Sequence, residues 1–192
     1  SNLKGVSHPG DLEIRETAIM RDLRIQCDLI GGGSEPMITV GVLGDGSSLI
    51  RETRRLSALR RYGILDTPKE QEFDWFTRMA AEMLGMPIAL VSLVDADRQW
   101  FKSVVGLGDL RETPLDVSFC KHALLQNGLF EVPDTLEDER FRDHPFVTGE
   151  PYCRFYSGAL LETPEGLPIG TLCVMDLVPR KLAPAQAEAL VA

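Results

Sequence analysis

The stretch that decides the fold runs Ile88-Ala89-Leu90-Val91-Ser92-Leu93-Val94-Asp95-Ala96-Asp97-Arg98-Gln99-Trp100-Phe101-Lys102-Ser103-Val104-Val105. Residues 88–94 are a β-rich run, and Asp95-Ala96-Asp97-Arg98 follows with the polar side chains that favour a turn. Residues 99–105 resume the β-rich pattern, so the whole reads as a hairpin. Residues 154–161 and 167–175 form a second pair, joined by the turn Thr163-Pro164-Glu165-Gly166. Between the pairs, Ser118 is placed to cap a short helix over 119–125 that ends at Asn127-Gly128. Residues 129–132 read as a brief strand. Asp134 and Glu137 then make a capping box for a short helix before Phe141.

Upstream of the first hairpin, Thr67-Pro68-Lys69-Glu70 reads as a helix start: Thr67 as cap, Pro68 in first position, Glu70 reaching back. Phe73, Phe76, Met79, Ala80 and Met83 continue at helical spacing to Gly85. Pro184 opens a last helix carrying Ala187, Leu190 and Val191. Hairpins separated by helical crossovers predict an α+β domain, a central antiparallel sheet with helices on its faces. The strands are expected to be half-buried. The long connections between the hairpins are where a pocket is expected.

The first fifty residues have a different texture. Residues 11–26 look helical, with Leu12, Ile14, Ile19, Leu23 and Ile25 among charged residues. Gly31-Gly32-Gly33-Ser34 follows as a flexible connector would. Residues 37–43 read as a strand, followed by the turn-rich Gly44-Asp45-Gly46-Ser47-Ser48. Gly41, Gly44 and Gly46 fit neither G-x-G-x-x-G nor a loop ending Gly-Lys-Ser/Thr, so no phosphate loop is read here. Residues 1–50 are therefore taken as an extension or linker of unknown role. From Arg51 a helix is expected, with Leu56, Leu59 and Tyr62 at three-residue steps among Arg51, Arg54, Arg55, Arg60 and Arg61. The arginines read as a solvated face, and the narrow apolar seam suits pairing with a partner helix.

The 192 residues, 44% of them hydrophobic and 26% charged, suffice for one domain with an extension. A mean hydropathy of −0.04 argues against both a disordered chain and a membrane protein. No apolar run approaches the ~20 residues of a spanning helix. The net charge of −9 disfavours nucleic acid, whose phosphates need clustered Lys and Arg. Cys27, Cys120, Cys153 and Cys173 show no CxxC pairing and no metal-type spacing with His8, His122 or His144. They read as reduced thiols of a cytoplasmic protein. The chain begins Ser1-Asn2 and ends within a helix-like stretch, so a piece of a longer protein is expected.

Eight blocks in order carry a resemblance: Leu65-Asp66-Thr67-Pro68, residues 88–95, Arg98-Gln99-Trp100-Phe101-Lys102-Ser103, Ser118-Phe119-Cys120-Lys121-His122-Ala123, Val132-Pro133-Asp134, Arg140-Phe141, residues 154–159, and Ile169-Gly170-Thr171-Leu172-Cys173-Val174-Met175-Asp176. Together they resemble a GAF domain of the bacterial signalling type, the kind found upstream of histidine kinase or GGDEF cyclase modules. The likeness covers about residues 56–192. It implies a pocket for a small ligand under the connecting helices and a homodimer formed through the flanking helices. It also implies an attached output domain that reads the shift of those helices. The expectation is a non-enzymatic sensor domain over residues 51–192, with neither its ligand nor a cofactor identified.

Other chemistries compete with that expectation. In bilin-binding members of the family a Cys-His dipeptide anchors the chromophore. Here Lys121 separates Cys120 from His122, and the two point to different helix faces. Cys120, Cys153 and Cys173 raise a thiol enzyme like the free methionine sulfoxide reductases, but their spacing is not that family's. Cys173 sits in an alternating strand, where a thiol usually packs. No nucleophile elbow supports a hydrolase. The acidic run 134–143 lacks the ligand pattern of a calcium loop, so no metal is expected. His144 lies in a loop expected to roof the pocket. Arg154 and Tyr156 share one strand face. There Arg154 offers a fork for a carboxylate or phosphate, or else pairs with Asp134 or Asp143 to hold the roof. The expected pocket residues are Cys120, Phe141, His144, Arg154, Tyr156 and Cys173. The alternatives kept open are a ligand-free dimerisation or interaction module and the thiol redox enzyme.

Overall fold

A computed structural model describes residues 24–26 and 46–191. A seven-stranded antiparallel sheet forms its centre, in the order β1-β6-β7-β2-β3-β4, with β5 paired to β6 beside that path. The strands are β1 (Arg24–Gln26), β2 (Ile88–Val94), β3 (Arg98–Val105), β4 (Glu112–Pro114), β5 (Phe130–Val132), β6 (Phe155–Glu162) and β7 (Pro168–Asp176). The helices are α1 (Gly46–Tyr62), α2 (Gln71–Leu84), α3 (Cys120–Ala123), α4 (Pro145–Thr148) and α5 (Pro184–Val191), with a 3-10 turn at Leu115–Val117. The α+β expectation holds, and both hairpins form: β2 with β3, and β6 with β7.

The two hairpins meet at the centre, where β2 pairs with β7 from Ile88↔Met175 to Leu93↔Gly170. All residues of β2 and β7 are buried, against the expectation of half-buried strands. Both faces of the sheet are covered, which is the condition under which a strand reads as a continuous apolar run. On one face Ala89, Val91, Leu93, Phe155, Ala159 and Val174 pack under α1, α2 and α5 through Leu59, Phe73, Leu84 and Leu190. On the other, Leu90, Phe101, Tyr156, Cys173 and Met175 pack against Phe119, Cys120, Phe141 and Val147 from the connections. This second layer, built of α3, α4 and the loop between β5 and β6, is a roof over the sheet.

Several local expectations give way to tertiary contacts. Arg24–Gln26 is not helical; it pairs antiparallel with 160–162, because the edge of β6 offers unmet backbone groups there. The readings on residues 11–23, 31–34 and 37–43 lie outside the described residues. Gly46–Ser48, read as part of a turn, opens α1. Within α1, Arg55 leaves the solvated face: it is 4% exposed, donates to the Val94 carbonyl (2.6 Å) and grips Glu52 with two bonds. The seam residue Leu59 packs onto the sheet rather than being held for a partner helix. The next helix starts at Gln71, three residues past the expected first position, because Thr67 and Glu70 are engaged by Lys102. Its stop at Gly85 is as expected, with φ 62°. The capping box at Asp134 forms a turn and no helix; Asp134 accepts from the Leu136 amide (3.1 Å) and from Arg154. A helical turn appears instead at α4, where His144 is the N-cap and Pro145 follows it.

Candidate functional site

The roof cluster is built from the strand alternation of β6 and β7. Residues two apart on a strand share a face, so Tyr156 and Gly158, or Thr171 and Cys173, look the same way. Gly158 has a specific task. A Cβ there would collide with the Tyr156 hydroxyl, so the glycine lets the tyrosine ring lie along the strand. The hydroxyl thereby reaches Cys120 and donates to its Sγ (3.3 Å). The Thr171 hydroxyl donates to the same sulfur (3.1 Å), and the Cys173 Sγ lies 4.0 Å away.

Cys120 is delivered to this point by α3, a single turn. Ser118 accepts from the Lys121 amide (3.1 Å), so it caps the turn as expected. Its hydroxyl also bonds the buried Gln99 of β3, fixing the turn to the sheet. Phe119 then enters the cluster. Its ring stacks between Phe141 (4.6 Å between centroids) and Tyr156 (5.1 Å), with the His144 ring 4.2 Å away. Cys120, Tyr156 and Cys173 are fully buried, and Phe119 and Phe141 nearly so. Ser92, opposite Thr171 in the ladder, is fully buried and turns its hydroxyl toward the Cys120 thiol.

The electrostatics follow from this enclosure. Burial opposes the Cys120 thiolate, but donors from Cys173, Thr171, Tyr156 and Ser92 outweigh it and hold the thiol below its ordinary value. The Cys173 thiol is pushed up by the adjacent Cys120 and by burial, and the Tyr156 phenol by burial first. Cys153 is equally buried but donates to the Phe155 carbonyl (3.1 Å), and burial pushes it up to about 12. Burial holds the His122 and His144 imidazoles below the usual histidine value.

Of the six residues expected in the pocket, five gather here: Cys120, Phe141, His144, Tyr156 and Cys173. Arg154 does not join them. It sits just before β6 and makes a two-pronged pair with Asp134 (2.7 and 3.0 Å), at the margin of the roof. The Arg154 guanidinium in turn holds the Asp134 carboxyl below its usual range. Phe119, Thr171 and Ser92 were not among the expected residues. Thr171 shares the face of Cys173 by the period of two; Phe119 depends on how α3 docks, and Ser92 on the register of β2 against β7. His122 lies half-buried and edge-on to Phe141. No group of His, Cys, Asp and Glu among the described residues is arranged to hold a metal ion.

Residues 68–192 match the family model of the GAF domain. The chain belongs to the GAF family. This GAF domain is 46% identical over 129 residues to a cyclic di-GMP phosphodiesterase of Pseudomonas aeruginosa; the match covers 67% of the chain and 22% of that relative. The chain thus spans about a fifth of the relative's length. Among solved structures, the GAF domain of an Acinetobacter phosphoenolpyruvate-protein phosphotransferase superposes with a TM-score of 0.54 at 16% identity, covering 77% of this chain and 87% of that one. A type II free methionine-R-sulfoxide reductase from Thermoplasma acidophilum gives 0.51 at 12% identity, over 73% and 87%. At such identities the likeness is one of fold alone. No helix among the described residues is long and apolar enough to cross a membrane.

Proposed function

We propose that this GAF domain is a regulatory module without catalysis of its own, acting in a longer cytoplasmic signalling protein. A small ligand held under the roof by Cys120, Phe141, His144, Tyr156 and Cys173, with Arg154 at the margin, would be the signal. The observation that supports this reading is the convergence of the Ser92, Tyr156 and Thr171 hydroxyls on the Cys120 thiol beneath a lid of aromatic rings. Ligand pockets are built this way, from apolar and aromatic walls with a few convergent polar atoms. The ligand would act by favouring one arrangement of α1 and α5 over another, to the extent of its differential affinity for the two. A homodimer through those helices would carry the change to an attached output domain. The relative is a cyclic di-GMP phosphodiesterase, which supports an output acting on a cyclic dinucleotide; a histidine kinase or diguanylate cyclase output is the variant of the same scheme.

A second reading rests on the close packing of the same cluster. With Phe119 stacked on both sides, the roof is a core, and the domain serves as a ligand-free dimerisation spacer. Native mass spectrometry of the freshly purified chain separates the two. The ligand reading expects a non-covalent adduct that denaturation releases and that Ser92→Leu, which puts a bulky apolar group among these hydroxyls, removes. An unliganded mass together with a loss of stability in Ser92→Leu, the result of overpacking a filled core, establishes the spacer. The redox-enzyme alternative has only a shared fold to support it.

A further inference from the structure

Beyond ligand sensing, we propose that Cys120 and Cys173 form a peroxide-oxidisable dithiol that closes to an internal disulfide. The two residues lie 53 positions apart in sequence, yet their sulfurs are 4.0 Å apart in the folded protein. A disulfide needs about 2.05 Å between sulfurs, a closure of about 2 Å. Cys173 is fixed in the middle of β7, paired on both sides with Leu90 and Gly158. Cys120 lies on a single helical turn, and such an isolated turn opens at far lower cost than the central sheet. The movement therefore belongs to Cys120.

The groups around the pair suit this chemistry. Two hydroxyls, from Tyr156 and Thr171, donate to the Cys120 sulfur. They stabilise the thiolate, the nucleophilic form. The oxidant is a small hydroperoxide, admitted when the α3 turn opens. The Cys120 sulfur attacks the terminal peroxide oxygen and the O–O bond breaks. The leaving oxygen takes the proton Cys120 has given up and departs as alcohol or water. Cys120 is then a sulfenic acid. The Cys173 sulfur attacks it, the S–O bond breaks, and hydroxide leaves with the Cys173 proton as water. Two thiols are oxidised and one peroxide is reduced.

Cys153 provides an internal reference. It is as buried as the pair, but among the described residues its thiol is paired with no second sulfur, and it donates to a carbonyl. Burial alone therefore separates none of the three thiols; the pairing does.

The test is hydrogen peroxide treatment of the reduced chain, followed by denaturing alkylation and peptide mapping. The expected product is a peptide pair crosslinked through Cys120 and Cys173, with Cys153 still alkylated and the intact mass lower by two hydrogens. In Cys173→Ser the crosslink is absent and dimedone traps a sulfenic acid at Cys120. Cys120→Ser leaves Cys173 reduced. Recovery of Cys120 and Cys173 fully alkylated after peroxide, or crosslinks made indiscriminately with Cys153 or Cys27, overturns the proposal. The assay uses ligand-free protein, so its failure leaves the ligand reading untouched.

Discussion

At the scale of single residues, His144 makes the roof sensitive to acid. Its Nδ1 accepts from the Phe146 amide (3.0 Å), which requires that nitrogen to be unprotonated. Its Nε2 then carries the hydrogen and donates to the Val117 carbonyl (2.8 Å). The neutral ring is the one the fold uses, and burial holds its pKa below the ordinary value. A histidine with a lowered folded pKa contributes stability that is complete above the unfolded value of about 6.5, and that is lost as pH falls through the folded one. The melting temperature should therefore drop on going from about pH 7.5 to about pH 5, where the paired carboxylates are still ionised. In His144→Gln the slope should be shallower, with His122 supplying the remainder. Equal slopes for the two proteins would refute this assignment. The sequence showed His144 before Pro145 and so its place in a loop. It could not show that the ring, rather than Asp134, would cap the helical turn, since that depends on Phe119 and Val117 closing around it.

Among the elements, the start of α2 is set by β3. Lys102 is fully buried, and its ammonium donates to the Thr67 hydroxyl (2.5 Å), the Pro68 carbonyl (3.0 Å) and the Glu70 carboxylate. It also lies 5.3 Å from the Phe73 ring centre. Thr67 spends its own hydrogen on the Ile64 carbonyl (2.8 Å). Neither Thr67 nor Glu70 is free to form the capping box their spacing suggests, and the helix begins later. Removing one partner of a buried ion pair typically costs about 3–5 kcal/mol, because the other charge is left without compensation. Lys102→Met should lower unfolding stability by that order in urea titrations, and adding Glu70→Gln should recover much of the loss. A loss for the single variant no larger than the ~1 kcal/mol of an exposed pair would show that Glu70 reaches water freely. The helix and its apolar face were legible from Phe73, Ala80 and Met83 spacing. Its first residue was not, because the competing partner lies 32 positions downstream.

For the whole molecule, the helices over one sheet face leave apolar side chains outside, Trp75 and Met83 on α2 and Leu49 and Ile50 on α1. Leu49 and Ile50 of α1 are 69% and 63% exposed, beside a surface cleft lined by Thr53, Leu56, Ser57, Arg60 and Arg61. The proposed dimer would use this side of α1. Light scattering should give twice the chain mass, and Leu49→Glu with Ile50→Glu should return it to one chain without a change in melting temperature. A single-chain mass for the unmodified protein would rule the dimer out. The sequence by itself determined the α+β class, both hairpins, the glycine stop of α2 and the terminal helix, because each follows from local periodicity and turn chemistry. It also placed Cys120, Phe141, His144, Tyr156 and Cys173 together, through their place in the family pattern. Only the tertiary structure decided that Arg154 pairs with Asp134 at the margin, that Arg55 is drawn inside to the Val94 carbonyl, and that residues 24–26 add a strand to the edge. Above all it decided that two cysteines separated by 53 residues stand sulfur to sulfur. Such facts follow from where strand register and helix docking bring distant groups, and a spacing along the chain does not encode that distance.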